Sequence, residues 1–226
     1  MKILLINGSP RVGGNTEILL NEAKRGAEEV GLSCELIHLG KFDIKPCTGD
    51  FACLRPGHEG ECHIKDDMQE IYDKLQECEG IIFGTPVYLW DMTSQMLIFL
   101  HRSIAAMFRK PSAIAGKVGG LIVISGRRGN QNVANVFNMF FIAAQMMTTD
   151  AVYGYAQGKG EIRKDIHSMK SSYELGRCIA LMIKEGRKIE LPDEYRYKFL
   201  PTFVCEKYDI PLSPGGDFKP KGADRA

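Results

Sequence analysis

The segment that most constrains this chain is its beginning, Lys2 to Val30. Ile3-Leu4-Leu5-Ile6 is a short, unbroken, partly β-branched apolar run, the pattern of a strand covered on both faces. Asn7 to Asn15 comes next with Gly8, Ser9, Pro10, Arg11, Gly13 and Gly14, too rich in glycine and polar residues to continue a strand. Ile18, Leu19, Ala23, Ala27 and Val30 then recur at helical spacing, so a helix starts at Asn15 or Thr16. Strand, Gly/Ser loop and helix N-terminus in that order offer free N–H groups and the positive end of a helix dipole to an anion such as a phosphate. A plain surface loop is the competing reading, and the clustering of Ser9, Arg11, Asn15 and Thr16 favours the phosphate. Gly8 and Gly13 have the glycine spacing of a nucleoside triphosphate loop, but Gly14-Asn15 stands where Lys-Ser/Thr is required. No Gly-x-Gly-x-x-Gly dinucleotide fingerprint occurs here.

Beyond this segment, strand patterns alternate with helical ones. Cys34–Leu39, Gly80–Thr85, Lys117–Ser125 and Asp150–Tyr155 read as strands. Helical spacing covers Lys65–Cys78, Thr93 to Met107 with Thr93 as cap, about Asn132 to Met147, and Asp165 to Arg187. Five strands alternating with helices predict an α/β fold, a doubly wound five-stranded parallel sheet. Right-handed crossovers favour the order 2-1-3-4-5. The 226 residues suit one such domain with appendages, and an apolar share of 44% suffices for its core. A net charge of +1 implies no general attraction to nucleic acid or membranes. No apolar run approaches the ~20 residues of a membrane span. The N-terminus enters a strand without a signal-peptide pattern, so a cytoplasmic protein is expected.

In this strand order ligands sit at the carboxyl ends of strands 1 and 3. Those ends are Ser9-Pro10-Arg11 and Thr85-Pro86-Val87-Tyr88, and the Ser125–Gly129 loop ends strand 4 on the same edge. Tyr88 and Trp90, the only tryptophan, suit a flat heteroaromatic ring, while Gly126, Gly129, Asn130 and two arginines can close over its polar edge. Packing or a dimer contact is the alternative for the two aromatics, and a solvated loop for at least one of Arg127 and Arg128.

Ile6-Asn7-Gly8-Ser9-Pro10-Arg11, Gly14-Asn15-Thr16 and Gly84-Thr85-Pro86-Val87-Tyr88 together resemble the flavodoxin-like NAD(P)H-dependent FMN reductases. With Ile64-Lys65-Asp66-Asp67-Met68 after the cysteine region, the chain is most similar to the iron–sulfur flavoprotein branch, over residues 1 to 185 or so. The resemblance implies non-covalent FMN, NAD(P)H as co-substrate, and a homodimer or homotetramer. On the family pattern, Ser9, Arg11, Asn15 and Thr16 would hold the phosphate. Pro86, Val87, Tyr88, Leu89 and Trp90 would line the isoalloxazine, with Ser125, Gly126 and Gly129 at its edge.

Seven cysteines, an odd number with Cys34, Cys78 and Cys178 in apolar or helical contexts, argue against a disulfide framework. Cys47, Cys53 and Cys62 fall in an irregular insertion, Phe42 to Cys62, where the resemblance implies four closely spaced cysteines and Asp50 takes the second position. A [4Fe–4S] cluster normally uses four thiolates, and Asp is a harder donor. The three thiolates with His58 or His63 suit zinc instead. The favoured expectation is a metal-free loop. An iron–sulfur cluster is allowed but not favoured, with Cys47, Cys53 and Cys62 as the candidate ligands.

From Ile189 the pattern stops, and Pro192, Pro201, Pro211, Pro214 and Pro220 break the rest of the chain into extended pieces. The expected division is an FMN-binding domain at 1–188 and an extended C-terminal arm at 189–226, too apolar for a free linker and packed on its own or a partner's domain. The expected function is an FMN-dependent oxidoreductase passing reducing equivalents from NAD(P)H to a quinone or other small acceptor. The flavin carries the chemistry, and no side-chain acid or base is assigned, His101 and His167 being the free-standing histidines. The alternatives are an electron-transfer flavoprotein without NAD(P)H activity and a flavin-free interaction protein on the same fold.

Overall fold

The apolar run at the start forms β1 (Lys2–Asn7), buried from Ile3 onward. In the computed structural model, which describes residues 1–58 and 60–186, β1 lies inside a parallel sheet. It pairs with β2 (Ser33–His38) on one side and β3 (Gly80–Pro86) on the other, and β3 pairs with β4 (Val118–Ser125). The expected arm and the boundary at 188 lie outside the described residues.

The fifth position differs from the single strand expected at Asp150–Tyr155. It is filled by two short strands, β5 (Met147–Thr148) and β6 (Val152–Tyr155), both parallel to β4. Gly119 faces Thr148 but Ile122 faces Val152, so the edge gains one residue between them. An extra residue of this kind is a bulge, which interrupts the ladder at a sheet edge. The sheet therefore has six strands in the order 2-1-3-4-5, with β6 continuing the edge.

Alternation along β1 sends Ile3 and Leu5 to one face and Leu4 and Ile6 to the other. On the first face lie α1 (Asn15–Glu29) and α6 (Ile166–Lys184). Their backbones meet at two glycines: a Cβ on Gly26 would fall 2.0 Å from the Tyr173 carbonyl, and one on Gly176 would fall 1.8 Å from that of Ala23. On the second face lie α2 (Met68–Glu77), α3 (Ser94–Arg102), α4 (Ile104–Phe108) and α5 (Asn130–Ala143). α5 packs Phe137, Phe140 and Phe141 around Phe83, with ring centroids 5.1, 5.7 and 5.8 Å away.

Helix limits depart from the sequence expectation for identifiable reasons. α2 starts at Met68, not Lys65, because Asp66 and Asp67 turn back to accept the N–H groups of Lys45 and Asp43. The expected single helix from Thr93 to Met107 is two. Ser103 donates its hydroxyl to the Phe99 carbonyl (2.7 Å), a back-bond that competes with the helix ladder. α5 begins and ends earlier than expected and stops before Gln145, which sits at φ 55°. Thr93 and Asp165 cap α3 and α6 by accepting from the N–H groups of Met96 and Ser168.

Candidate functional site

The loop after β1 is held by short side-chain bridges. Asn7 Oδ1 accepts the Ser9 N–H at 2.9 Å, and Ser9 Oγ accepts the Arg11 N–H at 3.1 Å. The α1 ladder opens with the Ile18 N–H donating to the Gly14 carbonyl, so the first-turn N–H groups lie before it and point out of the helix start. Ser9 and Thr16 are buried at this helix start and Arg11 is exposed beside it. Asn15 has a role the sequence did not show. Its Nδ2 donates to the Gly158 carbonyl (2.9 Å) and its Oδ1 accepts the Ile162 N–H (3.4 Å). That bridge draws the loop after β6 to the same edge, where Gln157 Nε2 also reaches the Gly126 carbonyl (3.4 Å). Two glycines after a strand, Gly158 and Gly160, were the available sequence signal for this fourth loop.

The loop after β3 folds back on itself. Tyr88 and Asp91 exchange N–H···O bonds of 2.7 and 3.0 Å around Leu89 and Trp90, which sit at φ 47° and 66°. Two positive φ values make a hairpin turn that favours Asn and Gly, so Leu-Trp there stores strain of about 1–2 kcal/mol per residue. Strain of this kind gathers at functional sites. The turn presents its side chains outward, Leu89 at 87% and Trp90 at 64% exposure, with Tyr88 also exposed and Pro86 and Val87 half-buried at its root.

Two contacts join this turn to the other loops. Gly129, at φ 103°, lies so close that a Cβ would be 2.7 Å from Val87 Cγ1 and 3.1 Å from Trp90 Cα. Thr93 Oγ1, the cap of α3, donates to the Gly8 carbonyl at 2.6 Å. The three loops anticipated from the sequence therefore converge, and Gly126, Arg127 and Arg128 lie exposed at their margin.

Buried polar atoms without partners mark the same edge. They are Asn7 Nδ2 at the end of β1, both ring nitrogens of His38 at the end of β2, Ser125 Oγ at the end of β4, and both amide atoms of Asn130 at the start of α5. Buried polar groups are almost always paired, so such a group of orphans fits a polar ligand. With the helix start for a phosphate and an aromatic turn for a ring, the donor set fits FMN. Asn7 and His38 were not assigned from the sequence, because each sits at a strand end where a polar residue also reads as a cap or turn, whereas Asn130 is one of the residues expected to close over the ring's polar edge. His101 and His167 are both exposed.

The cysteine insertion forms a separate site beside α3 and α4. A cavity of about 300 Å³ is lined by Cys47, Asp50, Cys53, Cys62 and His63 together with Arg102. Asp50 accepts from the Thr48 hydroxyl (2.8 Å) and the Ala52 N–H (2.9 Å), with His63 Nε2 3.4 Å away. The Ala52 N–H leads in holding its carboxyl below the ordinary range. Burial, with Cys62 and Cys47 near by, pushes the Cys53 thiol up to about 11. Cys47 is exposed, Cys53 and Cys62 are half-buried, and all three are free thiols. Among the described residues no three His, Cys, Asp or Glu side chains are grouped as one metal ion would require.

Comparison with known proteins agrees with this fold. The profile of the NADPH-dependent FMN reductase family matches residues 1–160. An iron-sulfur flavoprotein of Methanocaldococcus jannaschii is 32% identical over 198 residues, covering 83% of this chain and 100% of the relative. One from Archaeoglobus fulgidus is 32% identical over 197 residues, 86% of each chain. The crystal structure of RosB with bound 8-demethyl-8-formylriboflavin-5'-phosphate superposes with a TM-score of 0.66 at 19% identity, over 89% of this chain and 96% of RosB, which shows the shared fold. The chain belongs to the NADPH-dependent FMN reductase family, in its iron–sulfur flavoprotein branch.

Proposed function

We propose that this FMN-dependent oxidoreductase draws its electrons from NAD(P)H and passes them to a quinone or another small acceptor. The observation that carries the reading is the set of orphaned polar atoms of Asn7, His38, Ser125 and Asn130 at one sheet edge, beside an exposed and strained aromatic turn. Bound FMN supplies both one- and two-electron chemistry at its ring. The chain's own residues bind and orient it. Ser9, Arg11, Thr16 and the first-turn N–H groups of α1 hold the phosphate, with Asn15 fixing the neighbouring loop. Pro86 to Trp90 flank the ring, and Ser125, Gly126 and Gly129 border its polar edge, where Asn130 can donate or accept. The exposure of Tyr88, Leu89 and Trp90 leaves one side open to a nicotinamide and then to an acceptor. Steady-state oxidation of NADH and NADPH by FMN-loaded protein, with and without a quinone, tests this. Turnover that rises with quinone is expected.

A second reading, an electron carrier without NAD(P)H activity, draws on the cysteine-lined cavity. Reduced FMN formed only by a partner protein, with no pyridine nucleotide oxidation, would favour it. We also propose that the chain works in the cytoplasm as a homodimer or homotetramer through α5, whose fourteen residues include no charged side chain and whose outer face exposes Val136, Met139 and Ile142. No helix among the described residues is long and apolar enough to cross a membrane.

A further inference from the structure

Most N–H groups of the loop before α1 are bonded within the protein itself. The Gly8 N–H donates to the Gly84 carbonyl (2.8 Å), that of Ser9 to Asn7 Oδ1 (2.9 Å), that of Arg11 to Ser9 Oγ (3.1 Å) and that of Gly14 to the Arg11 carbonyl (3.3 Å). These four acceptors are neutral. The fifth is charged: the Gly13 N–H donates to Glu17 Oε2 at 2.7 Å. Asn7, whose Oδ1 braces Ser9, is fully buried and leaves its Nδ2 without a partner. A polar group of that kind at the root of the loop is a second sign, besides the helix start, that a ligand belongs here.

Glu17 stands in the first turn of α1 and is half-buried. From Asn7 to Glu17 the only charged side chains are those of Arg11 and Glu17, so the loop and helix start carry no net charge. A phosphate monoester carries about −1.5 to −2 at pH 7, and a site for it gains from an excess of positive charge. Here the charge of Arg11 is offset by a carboxylate fixed on the same loop. A second carboxylate is tied to the neighbouring loop. Glu161 Oε2 accepts the N–H groups of Gln157 (3.0 Å) and Gly158 (2.8 Å), on the segment that Asn15 draws to the helix start.

A glutamate in the first helical turn also caps backbone N–H groups and suits the helix dipole. The cap needs only an oxygen, whereas opposition to a phosphate needs the charge. We propose that Glu17 sets the affinity of the FMN site: its carboxylate keeps the Gly13 N–H from the phosphate and repels it, so that FMN is held as an exchangeable group. This rests on the reading that the loop takes the FMN phosphate. The repulsion acts on the phosphate and leaves the ring contacts of Pro86 to Trp90 as they are. It therefore weakens FMN but not riboflavin, and it speeds the release of FMN.

The test uses the full-length chain, freed of flavin and titrated by fluorescence with FMN and with riboflavin at low and high salt. In Glu17→Gln the side chain keeps an oxygen for the Gly13 N–H and loses the charge. This variant should bind FMN about fivefold tighter and release it correspondingly more slowly, the effect of one like charge near a partly exposed anion, with riboflavin unchanged. The gain should shrink at high salt, because exposed charges are screened. Glu28→Gln, at the far end of α1, should alter neither flavin. Equal or weaker FMN binding by Glu17→Gln overturns the proposal, as does a gain shared by riboflavin or by Glu28→Gln. A wild-type chain that binds no FMN overturns the flavin reading itself, whereas FMN binding without the Glu17 effect overturns this inference alone.

Discussion

Arg102 and Asp66 form a two-pronged ion pair, Nη1 to Oδ2 at 2.5 Å and Nη2 to Oδ1 at 3.1 Å, with both side chains fully buried. The pair is also the clasp of the cysteine insertion. Arg102 Nη1 donates to the Lys45 carbonyl (2.8 Å), Asp66 accepts the Lys45 N–H (2.8 Å), and the Tyr72 hydroxyl donates to the Arg102 carbonyl (2.8 Å). The two ends of a loop of some twenty residues are thereby pinned to α3, whose other end is capped by Thr93 against the loop after β1. One helix, with a rise of about 12 Å, thus ties the cysteine cavity to the sheet edge where the three loops converge.

Removing one partner of such a pair leaves the other buried and unpaired, which costs about 3–5 kcal/mol. Arg102→Met is therefore expected to lower the unfolding free energy by that amount, read from the denaturant midpoint. Arg109→Ala, beside the exposed Asp73, should cost no more than about 1 kcal/mol.

The same pair predicts a pH dependence. Burial pushes the Asp66 carboxyl upward, but Arg102 and the N–H groups of Lys45 and Met68 outweigh it and hold the group below its ordinary value. A folded value below the unfolded one, about 3.9, adds stability that is fully present above that pH and is lost as pH falls through the folded value. Asp66→Asn should lower stability at pH 7 and flatten its decline below about pH 4. Denaturant midpoints at a series of pH values check this; parallel curves for the two proteins would contradict it.

Ser9 Oγ braces the loop proposed to hold the phosphate by accepting the Arg11 N–H. Ser9→Ala is expected to weaken FMN by roughly tenfold, the equivalent of one hydrogen bond to a charged group. Riboflavin, which lacks the phosphate, should bind both proteins equally. Fluorescence titration with the two flavins separates the effects, and an equal loss for both would remove Ser9 from the phosphate site.

Gly129→Ala would place a methyl 2.7 Å from Val87 Cγ1 at a backbone φ of 103° that alanine disfavours. The turn carrying Tyr88 and Trp90 would have to shift, at a cost of about 1–3 kcal/mol. A loss of flavin affinity of the order of tenfold or more is expected, with riboflavin and FMN weakened alike because the ring, not the phosphate, is disturbed.

Met139 and Ile142, 64% and 61% exposed on α5, are the test of assembly. The double change to glutamate should leave secondary structure intact and convert the oligomer to monomer in light scattering across a dilution series. An unaltered mass would assign assembly to another surface.

Much of this protein is set by local sequence. The run Ile3–Ile6 fixes a strand buried on both faces because it leaves no polar side to expose, and the Gly/Ser loop ends that strand and leads into α1 because its glycines and polar residues cannot continue it. The alternation of strands and helices then favours one sheet order, and with it the edge where Asn7, Pro86 and Ser125 end their strands. Other features depend on residues far apart in the chain. The split of the fifth strand comes from its register against β4, which a run of six residues does not carry. Asn15 reads as a phosphate ligand in the sequence, and only the fold shows that its side chain also holds Gly158 and Ile162. Arg102 carries no signal in the sequence, because nothing in its neighbourhood announces Asp66, 36 residues earlier. Burial of a charge is decided by what surrounds it in space, and only the tertiary structure sets Arg102 beneath three cysteines and an aspartate.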